Sequence, residues 1–280
     1  MPLFKRAYRL KIQVGDTLKT YDELKENSSG LKIDFEVECS ANANFSKGNI
    51  TISGLKQSDI ALIATNRTPQ GDFKPSKVEL EVGYIDSLSL ILSGNITQAE
   101  TNFTSPDQTL RVAVMSAFET SQTQVSDSAQ NITFRDLCQI VASNNKLTLR
   151  YDSSVPNKAI GDYSFNGTPY EQIQRLREYM PDKAIIAVRN TILDVSAIGG
   201  KGEKKFTLDS SSGLLGDPSV TSHGCEVKML LNPALNVNDW VELKSNRIPQ
   251  LNSQYRILEL RHRGSNYGDI WESHLSLTRW

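Results

Sequence analysis

The chain has 280 residues, with 31 Lys and Arg against 32 Asp and Glu, and this even balance marks neither nucleic acid nor a membrane surface as the main partner. Only 38% of its residues are hydrophobic; no apolar stretch approaches the ~20 residues of a membrane helix, and the opening Met1–Arg6 has no apolar core of a secretory signal. Its 3 cysteines, Cys39, Cys138 and Cys225, are scattered and odd in number, which argues against a disulfide framework and offers no CxxC zinc pair.

Ser, Thr and Asn number 30, 18 and 19, a composition of turns and strands rather than of a helical bundle. Tyr8–Val14, Leu31–Glu38 and Lys77–Gly83 alternate apolar with polar residues, the period of a strand with one buried face. Ser87–Leu92, Asn95–Phe103 and Thr109–Met115 are further strand candidates, and Ser58-Asp59 before Ile60-Ala61-Leu62-Ile63 predicts a short helix with Ser58 as N-cap. The small polar run Thr120–Gln130 reads as a linker.

The period then changes. Thr133-Phe134-Arg135-Asp136 and Thr168-Pro169-Tyr170-Glu171 each resemble a capping box at a helix start, the second with proline at the first helical position. Leu147–Tyr151 reads as a strand, and Ala184–Val188 with Thr191–Val195 as a hairpin turning at Arg189-Asn190. A second linker, 199–219, is broken by one short strand, Lys205–Leu208. Beyond it Cys225–Met229, Trp240–Leu243, Tyr255–His262 and Trp271–Arg279 return to alternation. The spacing predicts Tyr255, Ile257, Glu259 and Arg261 on one face of their strand, with Arg256, Leu258, Leu260 and His262 on the other. The resulting order is β-block, small α+β module, β-block.

Chemical motifs are sparse. Gly264-Ser265-Asn266-Tyr267-Gly268 has its serine outside the GxSxG position. Gly200-Lys201 fails as a phosphate loop because Val195 fills the required glycine slot, and GxGxxG and HExxH are absent. His223 and Cys225 are close in sequence but have no adjacent third group to orient them. The residues therefore predict no catalytic residue, metal or cofactor. Trp240, Tyr255, Tyr267, Trp271 and Trp280 suit either a partner surface or ordinary packing.

Three passages carry a family resemblance: Leu31–Leu62; Val78–Phe118, with its Gly83-Tyr84-Ile85-Asp86 and Leu92-Ser93-Gly94-Asn95-Ile96-Thr97 runs; and Leu230–Trp280, with Leu231-Asn232-Pro233 and Asp239-Trp240-Val241-Glu242-Leu243. In order and texture the chain resembles baseplate hub proteins of contractile-tailed phages, the late control D protein family, related to the hub part of type VI secretion spikes. The resemblance implies a mainly β fold in which two tail-tube-like β-barrel domains, 1–120 and 201–280 with its linker, flank an inserted α+β domain within 121–200. It implies a non-enzymatic virion protein of the tail baseplate, assembled in the host cytoplasm without a stable membrane anchor. Such a chain forms a homotrimer whose six barrels match a ring of the tail tube, with the tube above, a separate spike below, other baseplate proteins alongside, and DNA only passing through the lumen. Alternatives are another tail-tube or tube-initiator protein, a tail-tip cell-wall hydrolase, or a carbohydrate-binding β-module. The expected inter-chain or partner contacts are Lys77, Glu79, Glu81, Arg256, Arg261, Trp271 and Trp280.

Overall fold

The computed structural model describes residues 5–24, 28–41, 45–65, 76–103, 108–116, 118, 123–181, 183–198 and 205–279. The first β-block contains β1 (Arg6–Val14), β2 (Thr17–Glu23), β3 (Lys32–Ser40), β4 (Lys47–Ser53), helix α1 (Gln57–Thr65), β5 (Ser76–Tyr84), β6 (Ser87–Asn102) and β7 (Thr109–Met115). Alternation sets which side chains turn inward: Tyr8, Leu10 and Ile12 of β1, Ile33, Phe35 and Val37 of β3, and Val78, Leu80 and Val82 of β5 share one core. The sixteen-residue β6 turns the corner. Its first part pairs with β5 and its last part with β7, and a register shift accompanies each pairing, as expected where bulges bend a strand from one sheet layer to another. Helix α1 begins at Gln57, so Ser58 lies inside the first turn rather than capping it.

The middle module comprises β8 (Val125–Thr133), α2 (Phe134–Asn144), β9 (Thr148–Tyr151), β10 (Ala159–Gly167), α3 (Pro169–Tyr179), β11 (Ala184–Arg189) and β12 (Ile192–Ala197). Both predicted capping boxes form: Thr133 with Asp136, and Thr168 with Glu171. The hairpin turns at Asn190, whose φ is 52°, a conformation that asparagine tolerates. Strand β8 replaces much of the expected first linker. Its polar sequence buries little and is held by the backbone ladder to β10.

The last β-block contains β13 (Lys205–Leu208), β14 (Leu214–Thr221), β15 (Gly224–Leu230), β16 (Trp240–Leu243), β17 (Ser253–Ser265) and β18 (Trp271–Thr278). Strand β14 likewise occupies part of the second expected linker.

The two β-blocks are joined through a shared ladder. They form one 13-stranded sheet, with the path β14-β15-β18-β17-β3-β4-β7-β6-β5-β1-β2 and a branch through β16 to β13, and that path is not closed among the described residues. The joint is an antiparallel ladder between β3 and β17, from Glu259↔Ser40 to Ser265↔Asp34. Three cores sit around it, and each borrows from another part of the chain. Trp271 and Leu231 enter the first core, Phe45 enters the middle one, and Ala41 and Ala187 enter the last.

Trp271 meets Phe35 edge-on, with ring centroids 5.4 Å apart. Gly264 makes room for this contact, since a Cβ there would lie 2.5 Å from Phe35 Cζ and 2.6 Å from Trp271 Cε3. The tip of the β17–β18 hairpin is also tied to the start of β3: Asn266 accepts from the Ile33 amide at 2.8 Å and donates to the Leu31 carbonyl at 2.9 Å. Arg6 donates to the Ser265 and Asp269 carbonyls, both at 2.9 Å.

Gly264→Ala should therefore overpack the seam and cost about 1–3 kcal/mol. Trp271→Ala should cost about 3–5 kcal/mol by leaving a cavity against Phe35. Denaturant titration reads both, and an unchanged midpoint for Gly264→Ala would refute the packing account.

Candidate functional site

The exposed face of the sheet across β15, β18, β17, β3 and β4 carries ordered rows of charge. Alternation turns Cys225, Val227, Leu260, Leu275 and Leu277 into the last core and leaves their neighbours outward. Pairing then aligns those neighbours in rows. Glu226, Ser276, Glu259 and Ser40 stand opposite one another in one row, and Lys228, His274, Arg261, Glu38 and Lys47 in the next. An acidic row thus borders a mainly basic row about 7 Å away along the strands, two residues at ~3.4 Å each.

The overhanging residues Leu215, Gly216, Asp217 and Ser219 turn part of this face into a groove of about 620 Å³. Within it Arg261 bonds Glu38 at 2.7 Å and Glu36 at 3.4 Å. Among the described residues, Lys47, Glu226, Lys228 and Glu259 make no ion pair, so their charges face solvent. Sequence reading missed these four, although the alternation of Cys225–Met229 already placed Glu226 and Lys228 outward.

The expected contact residues do not form one surface. Lys77, Glu79 and Glu81 point outward from β5, but neighbouring strands use their charges. Lys77 bonds Glu79 at 2.8 Å, Lys11 lies 3.8 Å from Glu79 and 3.6 Å from Glu81, and Arg9 lies 3.2 Å from Glu81. These half-exposed pairs contribute about 0–1 kcal/mol each. Trp271 is 4% exposed and packs in the seam against Phe35. Trp280 lies outside the described residues.

Arg256 corrects the strand-face reading. A register shift between Ile257 and Glu259 inserts Leu258 as an extra residue, which exchanges the two faces part-way along β17. Arg256 lies off the core face, yet it is 1% exposed because other groups cover it. Its guanidinium lies 4.6 Å from the Trp240 ring centroid and donates to the Asn238 side chain. Burial lowers its pKa, and the charge of Asp152 opposes that shift. Asp152 itself is pushed up by burial, but hydrogen bonds from Ser154 and Ala197 hold it below the ordinary carboxylate value, with Arg256 assisting.

The histidines and cysteines are dispersed. His223 is exposed at a turn. His274 lies 2.6 Å from Glu272. His262 is buried, with Nδ1 2.8 Å from Ser273 Oγ, and burial pushes its pKa down to about 4. Burial raises the thiols of Cys39 and Cys225, and raises that of Cys138 to about 12, so none is poised as a thiolate nucleophile. Among the described residues no cluster of three His, Cys, Asp or Glu side chains could hold a metal, and no helix is long and apolar enough to cross a membrane.

The architecture is mainly β, with three interlocked cores and a charged sheet face, the build of a structural component rather than of a pocketed catalyst. Residues 10–271 match the family model described as baseplate hub gp41, and the chain belongs to that family. The comparison with curated proteins gives no match. Among solved structures, the 43 kDa tail protein of prophage MuSo2 from Shewanella oneidensis is similar at a TM-score of 0.66 and 11% identity, covering 97% of this chain and 96% of that one. The E. coli c3393 protein, described as a type VI secretion component with structural similarity to T4 tail proteins gp27 and gp5, aligns at 0.62 and 11% identity, covering 92% and 76%. A chain of the Francisella PdpA–VgrG complex aligns at 0.57 and 8% identity, covering 98% and 58%. The protein is thus a phage-tail structural component of the baseplate hub family.

Two substitutions test the buried charge. Arg256→Met should unfold within about 1.5 kcal/mol of wild type, because an apolar chain of similar shape can replace a buried ion, whereas Arg256→Glu should lose more than about 3 kcal/mol by burying an acid near Asp152. A wild-type midpoint for Arg256→Glu would place this residue on the surface.

Acid tests His262. The folded form keeps its imidazole neutral, while the unfolded chain takes up a proton below its ordinary value of 6.5. Stability is therefore complete above that value and falls by about 3 kcal/mol as the pH drops toward 4. Stability curves over that window should be shallower for His262→Gln; an equal slope would refute the assignment.

Proposed function

We propose that this protein is the structural hub of a contractile-tail baseplate, joining the tail tube to a separate spike protein as a homotrimeric ring with two tube-like β units per chain. Membership of the baseplate hub family supports this reading. The observation that carries it is the internal β3–β17 joint: two groups of four antiparallel strands, β14-β15-β18-β17 and β3-β4-β7-β6, lie edge to edge in one chain. A chain built this way presents two units to a ring in which each tube subunit presents one. Three copies then match a six-membered tube ring.

The α+β module supports this role mechanically. Phe45 and Ala187 pack it against both β-blocks, and Asn190 at its hairpin turn accepts from the Ser93 amide of β6 at 2.8 Å. It braces the angle between the two units. The tube, spike, other baseplate proteins and passing DNA complete the partner set of this reading, with assembly in the host cytoplasm.

Native mass spectrometry of the purified chain, alone and with its spike protein, should show three copies per assembly. A stable six-copy ring using one β unit per chain would instead make this a tube or tube-initiator protein.

A further inference from the structure

The charged groove has a spacing as well as a sign. Its middle cations are engaged within the sheet: Arg261 bonds Glu38 at 2.7 Å and Glu36 at 3.4 Å, and His274 lies 2.6 Å from Glu272. Four further charges are exposed, Glu226 and Lys228 on β15, Glu259 on β17 and Lys47 on β4. Pairing fixes where they stand. With strands ~4.8 Å apart and before sheet twist is included, Glu259 lies roughly 10 Å from Glu226 along the acidic row, and Lys47 roughly 19 Å from Lys228 along the basic one. The small Ser276 and Ser40 fill the other places of the acidic row and leave its floor low.

Those intervals suit one secondary structure. A helix lying across the strands rises ~5.4 Å per turn, close to the strand spacing, so each turn meets a new strand. An extended segment in the same place repeats a side only every ~6.8 Å and falls out of step with the strands. On a helix ~10 Å is about seven residues, and about eleven residues later the same face returns after ~17 Å. The flexible stems of Lys47 and Lys228 span the remaining ~2–3 Å. The Leu215–Ser219 overhang closes one end of the groove and Phe45 borders the other, which limits the docked length to about four turns.

We propose that this groove docks an α-helix of a partner protein, lying across the strands, with two basic residues seven positions apart against Glu226 and Glu259 and two acidic residues eleven positions apart against Lys228 and Lys47. This docking goes beyond the hub reading and requires no ring or copy number, only the register of β15, β18, β17, β3 and β4. Opposite charges on its two flanks also fix the direction of the helix. Turned end for end, its bases would face the basic row and its acids the acidic row.

Two labelled, alanine-rich helical peptides of about four turns provide the test. One carries the two lysines on one flank and the two glutamates on the other, at these spacings; the second has every sign exchanged. Fluorescence anisotropy at low salt should show the first binding at least about tenfold more tightly, because four exposed attractions become four repulsions in the second. A chain with Lys47→Glu, Glu226→Lys, Lys228→Glu and Glu259→Lys keeps its net charge and should reverse the preference. Should that chain melt early, Lys47→Gln with Lys228→Gln should still weaken binding of the first peptide at least about threefold. Equal affinities, binding by neither peptide, or a preference that survives these substitutions would overturn the helix assignment, whatever native masses show for the hub. A native mass altered by the four reversals, with no peptide preference, would assign the groove to a second copy and overturn it as well.

Discussion

The pairing of β3 with β17 decides the rest of the architecture. Without it the chain would contain two small β-blocks, each with a raw edge and a core open to water. The ladder removes two edges at once and carries Trp271 against Phe35. Backbone and side chains act together there: hydrogen bonds set the register, the register fixes which residues face inward, and Gly264 leaves the space into which both rings fit. Polar ties from Arg6 and Asn266 at the hairpin tip hold the same seam from outside the core. The seam is therefore specified by geometry as well as by buried apolar area.

The charges follow from that pairing. Once the strands are aligned, acidic and basic side chains of β15, β18, β17 and β3 must fall in adjacent rows, because outward positions recur every second residue. Charges on β1 and β5 mostly neutralise one another, whereas Glu226, Lys228 and Glu259 remain open to solvent. A charged residue on a strand therefore has two distinct fates here. Pairing with the next strand makes it part of the wall; an unpaired position on the face leaves it available for steering and register.

Local signals in the sequence predicted local structure well. Alternation in Tyr8–Val14 and Lys77–Gly83 announced strands, and the two capping boxes announced helix starts, because the cause of each lies within a few residues. Strand β8 was hidden because it is polar and only its ladder to β10, beyond α2 and β9, makes it a strand; β14 was hidden because Gly216 and Pro218 interrupt it, although its ladder is to the adjoining β15. Arg256 was misread for a related reason: the extra residue at Leu258 reverses the faces of β17, and nothing in the spacing of apolar residues there reveals a bulge. Trp271, expected as a contact residue, enters a core that belongs to the other β-block. The open charges of the groove were visible singly, but their rows depend on long-range register.

The same seam sets an order of events during synthesis. Asn266 and its partner Ile33 are 233 positions apart, and a ribosome adding ~5–20 residues per second needs on the order of 10–50 s to bridge that separation. Through that interval the nascent first block has a vacant place beside Phe35 and an unpaired β3 edge. Contacts of such long range also slow the search for the native topology. The growing chain is therefore most exposed to mispairing before the β17–β18 hairpin emerges.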